Sequence, residues 1–237
     1  MNSVHVNRIA AVATFVLSVA CAPGGGTTQS GETTSVTRKD TASVAAHPAP
    51  ADSSITRADL ARIQGSPTAP VWVIEVSDFQ CPYCKQWHDQ TYNTFVDQYV
   101  KTGKVRLAYV NFPLQSHVHA LVAAEAAMCA GAQNKFWAMH DALFGTQNKW
   151  EVLPSPKQYF DSLASANGVS MQQWRDCVSS GKMKPIIFAD QDRASRAGAS
   201  ATPSFMIGDH LLVGAQSIDE LRRVIDTALA KSKSTTP

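Results

Sequence analysis

The sequence predicts an α/β fold on three observations. A β-branched apolar run is followed closely by a helix-start signal, a second strand-like run comes after that helix, and two short strands precede an amphipathic C-terminal stretch. The first run, residues 71–76 (VWVIEV), is bounded by Pro70 and by Ser77-Asp78, as a buried strand should be. Pro82 suits the first helical position, where a missing N–H costs nothing. Cys81 is then the N-cap of a helix over residues 82–100 that carries Trp87, Tyr92, Phe95, Val96 and Tyr99. KVRLAYVN (104–111) reads as the next strand, ended by Asn111-Phe112-Pro113. Several helices are expected between about 117 and 198, then strands near 204–207 and 210–213. In the closing helix, 218–231, Ile218, Leu221, Val224, Ile225 and Leu229 recur at three- and four-residue steps, with Arg222, Arg223 and Asp226 off that stripe.

The N-terminus reads as an address. Arg8 precedes an apolar run of 12 residues, 9–20, too short to span a bilayer as a mature helix and typical of a secretory signal. Leu17-Ser18-Val19-Ala20-Cys21 resembles the lipobox of bacterial lipoproteins, which would make Cys21 the lipidated mature N-terminus. Ser18 stands where that motif usually has Leu, and Ala20-Cys21-Ala22 also fits ordinary cleavage after Ala22, so both remain open. Residues 1–21 are therefore assigned as signal. Residues 22–56 are assigned as a disordered tether, because 23–54 contain no aromatic residue and are rich in Gly, Ser, Thr and Pro. A coil of that length has an end-to-end distance of about 30 Å, enough to hold a domain off a membrane. The globular domain is expected over 57–237.

Lys and Arg number 21 against 19 Asp and Glu, a balance of +2 that offers no basic field to a phosphate backbone; nucleic acid is not an expected partner. Five cysteines occur, at 21, 81, 84, 129 and 177. With Cys21 lipidated or removed, a close pair and a distant pair remain, in a chain maturing where thiols oxidise.

Cys81-Pro82-Tyr83-Cys84 carries the chemistry. At a helix N-terminus the free N–H groups and the macrodipole favour an anion, so Cys81 should be acidified, exposed and nucleophilic. Cys84, one turn on, can attack a mixed disulfide formed at Cys81. The same spacing supplies half of many zinc sites. Here His88 would complete only C-x2-C-x3-H, and no second such pair follows, so no metal is expected. His117 and His119 read as solvated or core histidines.

With these residues in view, the sequence resembles the thioredoxin-fold thiol:disulfide oxidoreductases of the DsbA type, over roughly 65–230. The carriers are EVSDFQCPYC (75–84), AAMCAGAQNKFWAMHDALF (126–144), DCVSSGK (176–182) and GASATPSFMIG (198–208). The resemblance implies a thioredoxin-like fold with an inserted helical subdomain at about 117–198. It also implies that Thr202-Pro203 is a cis-proline loop facing Cys81 and presenting backbone to substrate. Glu75 would be a buried acid beneath the redox pair, raised in pKa by desolvation and able to accept the Cys84 proton; a strand-end Glu facing solvent is the alternative. Cys129 and Cys177 would form a second, structural disulfide, against the alternative of two buried thiols. Asp78 has no clear chemical task and is assigned to the turn.

By the same resemblance, the protein would oxidise reduced or unfolded exported proteins in the cell envelope or periplasm, without a cofactor, as a monomer held by a lipid anchor. A quinone-linked membrane partner of the DsbB or vitamin K epoxide reductase type would reoxidise it. Tyr83 brings no cation beside the sulfurs, so the potential should be less oxidising than that of DsbA. A reductase or isomerase, and a metal-binding module using Cys81 and Cys84, are the competing readings.

Overall fold

The computed structural model describes residues 52–234. The signal, Cys21 and most of the expected tether lie outside them. Helix α1 (Ser53–Ala61) leads into the two-residue strand β1 (Ile63–Gln64), and strand β2 spans Val71–Ser77. The helix α2 (Pro82–Trp87), a π-helical turn (His88–Tyr92), α3 (Asn93–Phe95) and a second π-helical turn (Val96–Val100) follow without a break; β3 is Val105–Asn111. Six helices come next: α4 (Ala120–Gly131), α5 (Phe136–Gly145), α6 (Gln147–Trp150), α7 (Lys157–Ala166), α8 (Met171–Ser180) and α9 (Lys184–Arg196). Strands β4 (Ser204–Ile207) and β5 (His210–Val213) and helix α10 (Ile218–Ser234) close the domain.

The five strands form one sheet in the order β1-β3-β2-β4-β5. Strands β2 and β3 are parallel, and every other pair is antiparallel. A parallel pair needs a crossover, which the 82–100 helix provides. In this sheet Glu75 lies between Tyr109 of β3 and Phe205 of β4. One sheet face, with Val73, Leu107, Phe205 and Ile207, packs against Trp87, Phe95 and Tyr99 and against Leu221 and Ile225 of α10. Val76 and Ala194 pack on the opposite face with Phe112 and Ala199. The inserted helices share a separate core around Phe136, Phe144, Trp150 and Trp174 that reaches Cys81 and Cys84.

The structure differs from the sequence expectations in a few places. Helix α1 starts inside the stretch whose composition reads as tether, because Asp52 caps it: its carboxylate accepts from Ser54 N at 2.8 Å. Ala58 is then buried, with Ile55 and Ala61 packed beside it, in a core that a composition window cannot register, and the helix begins ahead of residue 57. The 82–100 helix is not uniformly α. Trp87 and Tyr92 are both buried although five residues apart, a spacing out of phase with 3.6 residues per turn, and the wider π turn brings both inward. Strand β1 was not anticipated. Its turn depends on Gly65 (φ +102°), where a Cβ would stand 2.5 Å from the Val105 carbonyl oxygen.

A buried charge cluster fastens the insertion to the sheet. The fully buried Asp190 of α9 accepts hydrogen bonds from Arg62, from Arg193 at 2.6 Å, and from the Asn111 backbone and side-chain nitrogens at 3.2 and 2.9 Å. Arg62 also donates to the Tyr109 carbonyl at 3.0 Å. These donors satisfy both carboxylate oxygens, as a polar group in the interior requires.

Candidate active site

Strand β2 ends in a turn that places Cys81 at the N-cap of α2 in extended conformation, with Pro82 first in the helix. Asp78 shapes that turn from a buried position. One carboxylate oxygen accepts from Gln80 N at 2.8 Å, and the other from Leu114 N at 3.0 Å and His117 Nδ1 at 2.7 Å. His117, read from sequence as solvated or core, thus belongs to the support of this turn. Gln147 of α6 reinforces it from the insertion, donating to the carbonyls of Phe79 (2.7 Å) and Cys81 (3.1 Å). Neither contact had a local sequence signal.

Cys81 is not the exposed residue expected from sequence; only 3% of its surface is accessible. The covering group is the loop before β4, 121 residues away, where the Thr202–Pro203 bond is cis and the Thr202 carbonyl accepts from Cys81 Sγ at 3.3 Å. Tyr83 is 62% exposed and forms the accessible rim. Both redox cysteines are thiols. The Cys84 thiol, as a donor to Cys81, is the largest influence lowering Cys81 to about 6; the Thr202 hydroxyl and the backbone N–H groups of Cys84 and Tyr83 add to it, and burial opposes it. The helix terminus therefore contributes, but the neighbouring sulfur contributes more. Burial pushes Cys84 well above an ordinary thiol, and the adjacent Cys81 adds to that; its Sγ accepts from Asp78 N at 3.5 Å.

Glu75 faces the interior of β2, fully buried, not solvent. Neither carboxylate oxygen has a hydrogen-bond partner, and desolvation pushes the group up to about 8, with the Ser77 hydroxyl and the charge of His88 opposing. The Ser77 hydroxyl, itself without a hydrogen-bond partner, eases the charged form of both Glu75 and Cys84. The Tyr109 phenol, opposite Glu75 on β3, is raised by burial and then by the charges of Glu75 and Cys84. Ser77 and Tyr109 escaped the sequence reading. Alternation along β2, which puts residues 75 and 77 on one face, was the available signal for Ser77.

Cys129 of α4 and Cys177 of α8 are joined in a disulfide, Cα atoms 5.8 Å apart. It lies in the helical core, in the same apolar cluster that reaches Cys81 and Cys84. His88 does not approach the cysteines as a ligand; it converges instead with His140 and Asp141 of α5.

Comparison with known proteins agrees with this geometry. The family model described as Thioredoxin matches residues 58–227, and the chain belongs to that family. Its fold matches the crystal structure of Wolbachia pipientis alpha-DsbA1 with a TM-score of 0.67 and 22% identity, covering 74% of this chain and 94% of that one. BdbD from Bacillus subtilis matches with 0.65 and 21%, covering 71% and 92%. Both establish the DsbA-type thioredoxin fold with its helical insertion. In sequence, the chain is 27% identical over 170 residues to "Probable disulfide bond formation protein D" of Bacillus anthracis, covering 70% of this chain and 77% of that protein. It is also 30% identical over 176 residues to "Na(+)/H(+) antiporter NhaA 3" of Salinispora tropica, covering 74% of this chain but spanning only 26% of that protein's length.

Proposed function

We infer that the protein is an extracytoplasmic thiol:disulfide oxidoreductase that works as an oxidase, forming disulfides in reduced exported proteins through Cys81 and Cys84. The observation that carries this reading is the divided acidity of the pair: Cys81 is held at about 6 and Cys84 well above an ordinary thiol.

The steps follow from that asymmetry. With Cys81 and Cys84 joined, a substrate thiolate attacks Cys81 Sγ. A substrate–Cys81 disulfide forms, the Cys81–Cys84 bond breaks, and the electron pair leaves on Cys84. A buried thiolate is costly, so Cys84 takes a proton as it leaves. Glu75, neutral at pH 7 with its value near 8, supplies it. A second substrate thiolate then attacks the substrate sulfur of the mixed disulfide and expels Cys81, whose acidity makes it the better leaving group. The substrate loses two electrons and gains a disulfide, while the enzyme keeps two thiols. The Thr202 carbonyl and Pro203 present the backbone edge against which the substrate segment aligns.

Reoxidation falls to a quinone-linked membrane partner of the DsbB or vitamin K epoxide reductase type. Residues 1–21 act as signal, with lipidation at Cys21, and no helix among the described residues is long and apolar enough to cross a membrane. The deciding experiment measures the Cys81–Cys84 potential in glutathione buffers together with oxidation of a reduced, unfolded substrate. A potential between the reference values of about −120 mV for DsbA and about −180 mV for protein disulfide isomerase, with substrate oxidised, supports the reading. A potential near the thioredoxin value of about −270 mV with no oxidation rejects it in favour of a reductase.

A further inference from the structure

The geometry points to a divalent-cation site formed by His88, His140 and Asp141, separate from the sulfur pair and suited to zinc. His88 opens the π-helical turn after α2, and His140 and Asp141 are consecutive on α5. One ligand atom from each lies within 4.8 Å of the others. Asp141 Oδ1 is 2.8 Å from His140 Nδ1 and 3.6 Å from His88 Nε2. A tetrahedral zinc with bonds of about 2.0–2.1 Å needs its ligand atoms about 3.3 Å apart, which small side-chain rotations would supply.

Two further features suit a metal. Asp89 Oδ1 lies 3.1 Å from His88 Nδ1, so the ring donates there and turns its Nε2 lone pair toward the cluster. This carboxylate–histidine arrangement recurs at zinc ligands. His140 supplies the second. The residue is fully buried among Phe79, Tyr109 and Phe144, and its Nε2 has no hydrogen-bond partner. A proton on Nδ1, toward Asp141, leaves Nε2 as a bare acceptor that no donor reaches. A proton on Nε2 turns that atom into an N–H among aromatic rings, a weak but favourable contact. The Nδ1 lone pair then faces the Asp141 oxygen and needs a cation between them. Asp141 has 56% of its side chain exposed, which leaves an approach from solvent and a fourth position for water. Two imidazoles and a carboxylate suit a borderline-soft first-row ion more than calcium or magnesium. Bound there, the ion would tie α5 of the insertion to the helix that carries the redox pair.

The test titrates zinc chloride into the full chain carrying Cys21→Ser, with Cys81 and Cys84 oxidised so that no thiol competes. Calorimetry is expected to find one zinc per chain, and His88→Gln or Asp141→Asn to weaken binding at least tenfold while melting in chelator stays unchanged. Cobalt should give the visible bands of a four-coordinate site. The imidazole nitrogen resonances of His88 and His140 should shift with zinc in the unmutated ligand set, a readout independent of how the variants fold. Absence of stoichiometric binding, affinity in both variants unchanged from the unmutated protein, or unshifted resonances overturns the proposal.

Discussion

Replacing Glu75 with Gln should change how stability depends on pH, by an amount set by the burial of this carboxyl. In the unfolded chain the group titrates near 4.5; in the native protein, desolvation pushes it up to about 8. Between those values the native state binds more protons than the unfolded state. Stability therefore falls as pH rises through that window, and the neutral carboxyl contributes its full share only below it. Integrating the linkage from about pH 5 to about pH 8 gives a loss of about 3.5 kcal/mol from this group alone. Glutamine has nearly the same volume, its amide does not titrate, and its unsatisfied polar atoms cost about the same at each pH. Denaturant unfolding of the reduced protein and of the variant at both pH values isolates the difference, since every other titrating group is common to both. The variant is expected to gain about 3.5 kcal/mol on the unmutated protein between the two conditions. Parallel profiles, differing by less than about 0.5 kcal/mol across the window, would refute both the raised value and the role of Glu75 as proton donor to Cys84.

Other expectations follow from the same contacts. Thiolate absorbance should titrate Cys81 near 6, leaving about nine molecules in ten ionised at pH 7, and Cys84→Ala should raise that value by removing the neighbouring donor; an ordinary thiol near 8.5 in the unmutated protein would remove the basis of the mechanism. Cys81→Ser should abolish disulfide exchange, whereas Cys84→Ser should accumulate mixed disulfides visible on non-reducing gels, and equal residual activity in the two contradicts the assigned roles. The Cys129–Cys177 bond closes 48 residues of sequence, so replacing both with Ala should cost about 4 kcal/mol in chain entropy, measured by denaturant unfolding with the redox pair held reduced. Asp190→Ala leaves Arg62 buried without its main partner and should cost about 3–5 kcal/mol; a loss below about 1 kcal/mol would mean that water reaches the cluster.

Each of these effects depends on local chemistry that a distant segment completes. The strands 204–207 and 210–213 were legible to the residue, because short apolar runs and the turn residues that flank them are local. Pro82 marked the start of the redox helix for the same reason, and Cys-Pro-Tyr-Cys carried its own spacing. The π turns were less legible, since their cause is the need to bury Trp87 and Tyr92 against a sheet that forms elsewhere in the chain.

The sequence by itself determined the α/β class, the pairing of a nucleophilic with a resolving sulfur, and the presence of an acid six residues upstream. These are encoded in neighbours along the chain. Three-dimensional packing alone covers Cys81 with a carbonyl 121 residues away, leaves Glu75 buried without a hydrogen-bond partner, and brings Arg62 to Asp190 across 128 residues. It likewise turned His88 from the cysteines toward His140 and Asp141. Contacts of that range are settled by which surfaces the whole core buries together, and burial is a property of the assembled fold that no window of sequence contains.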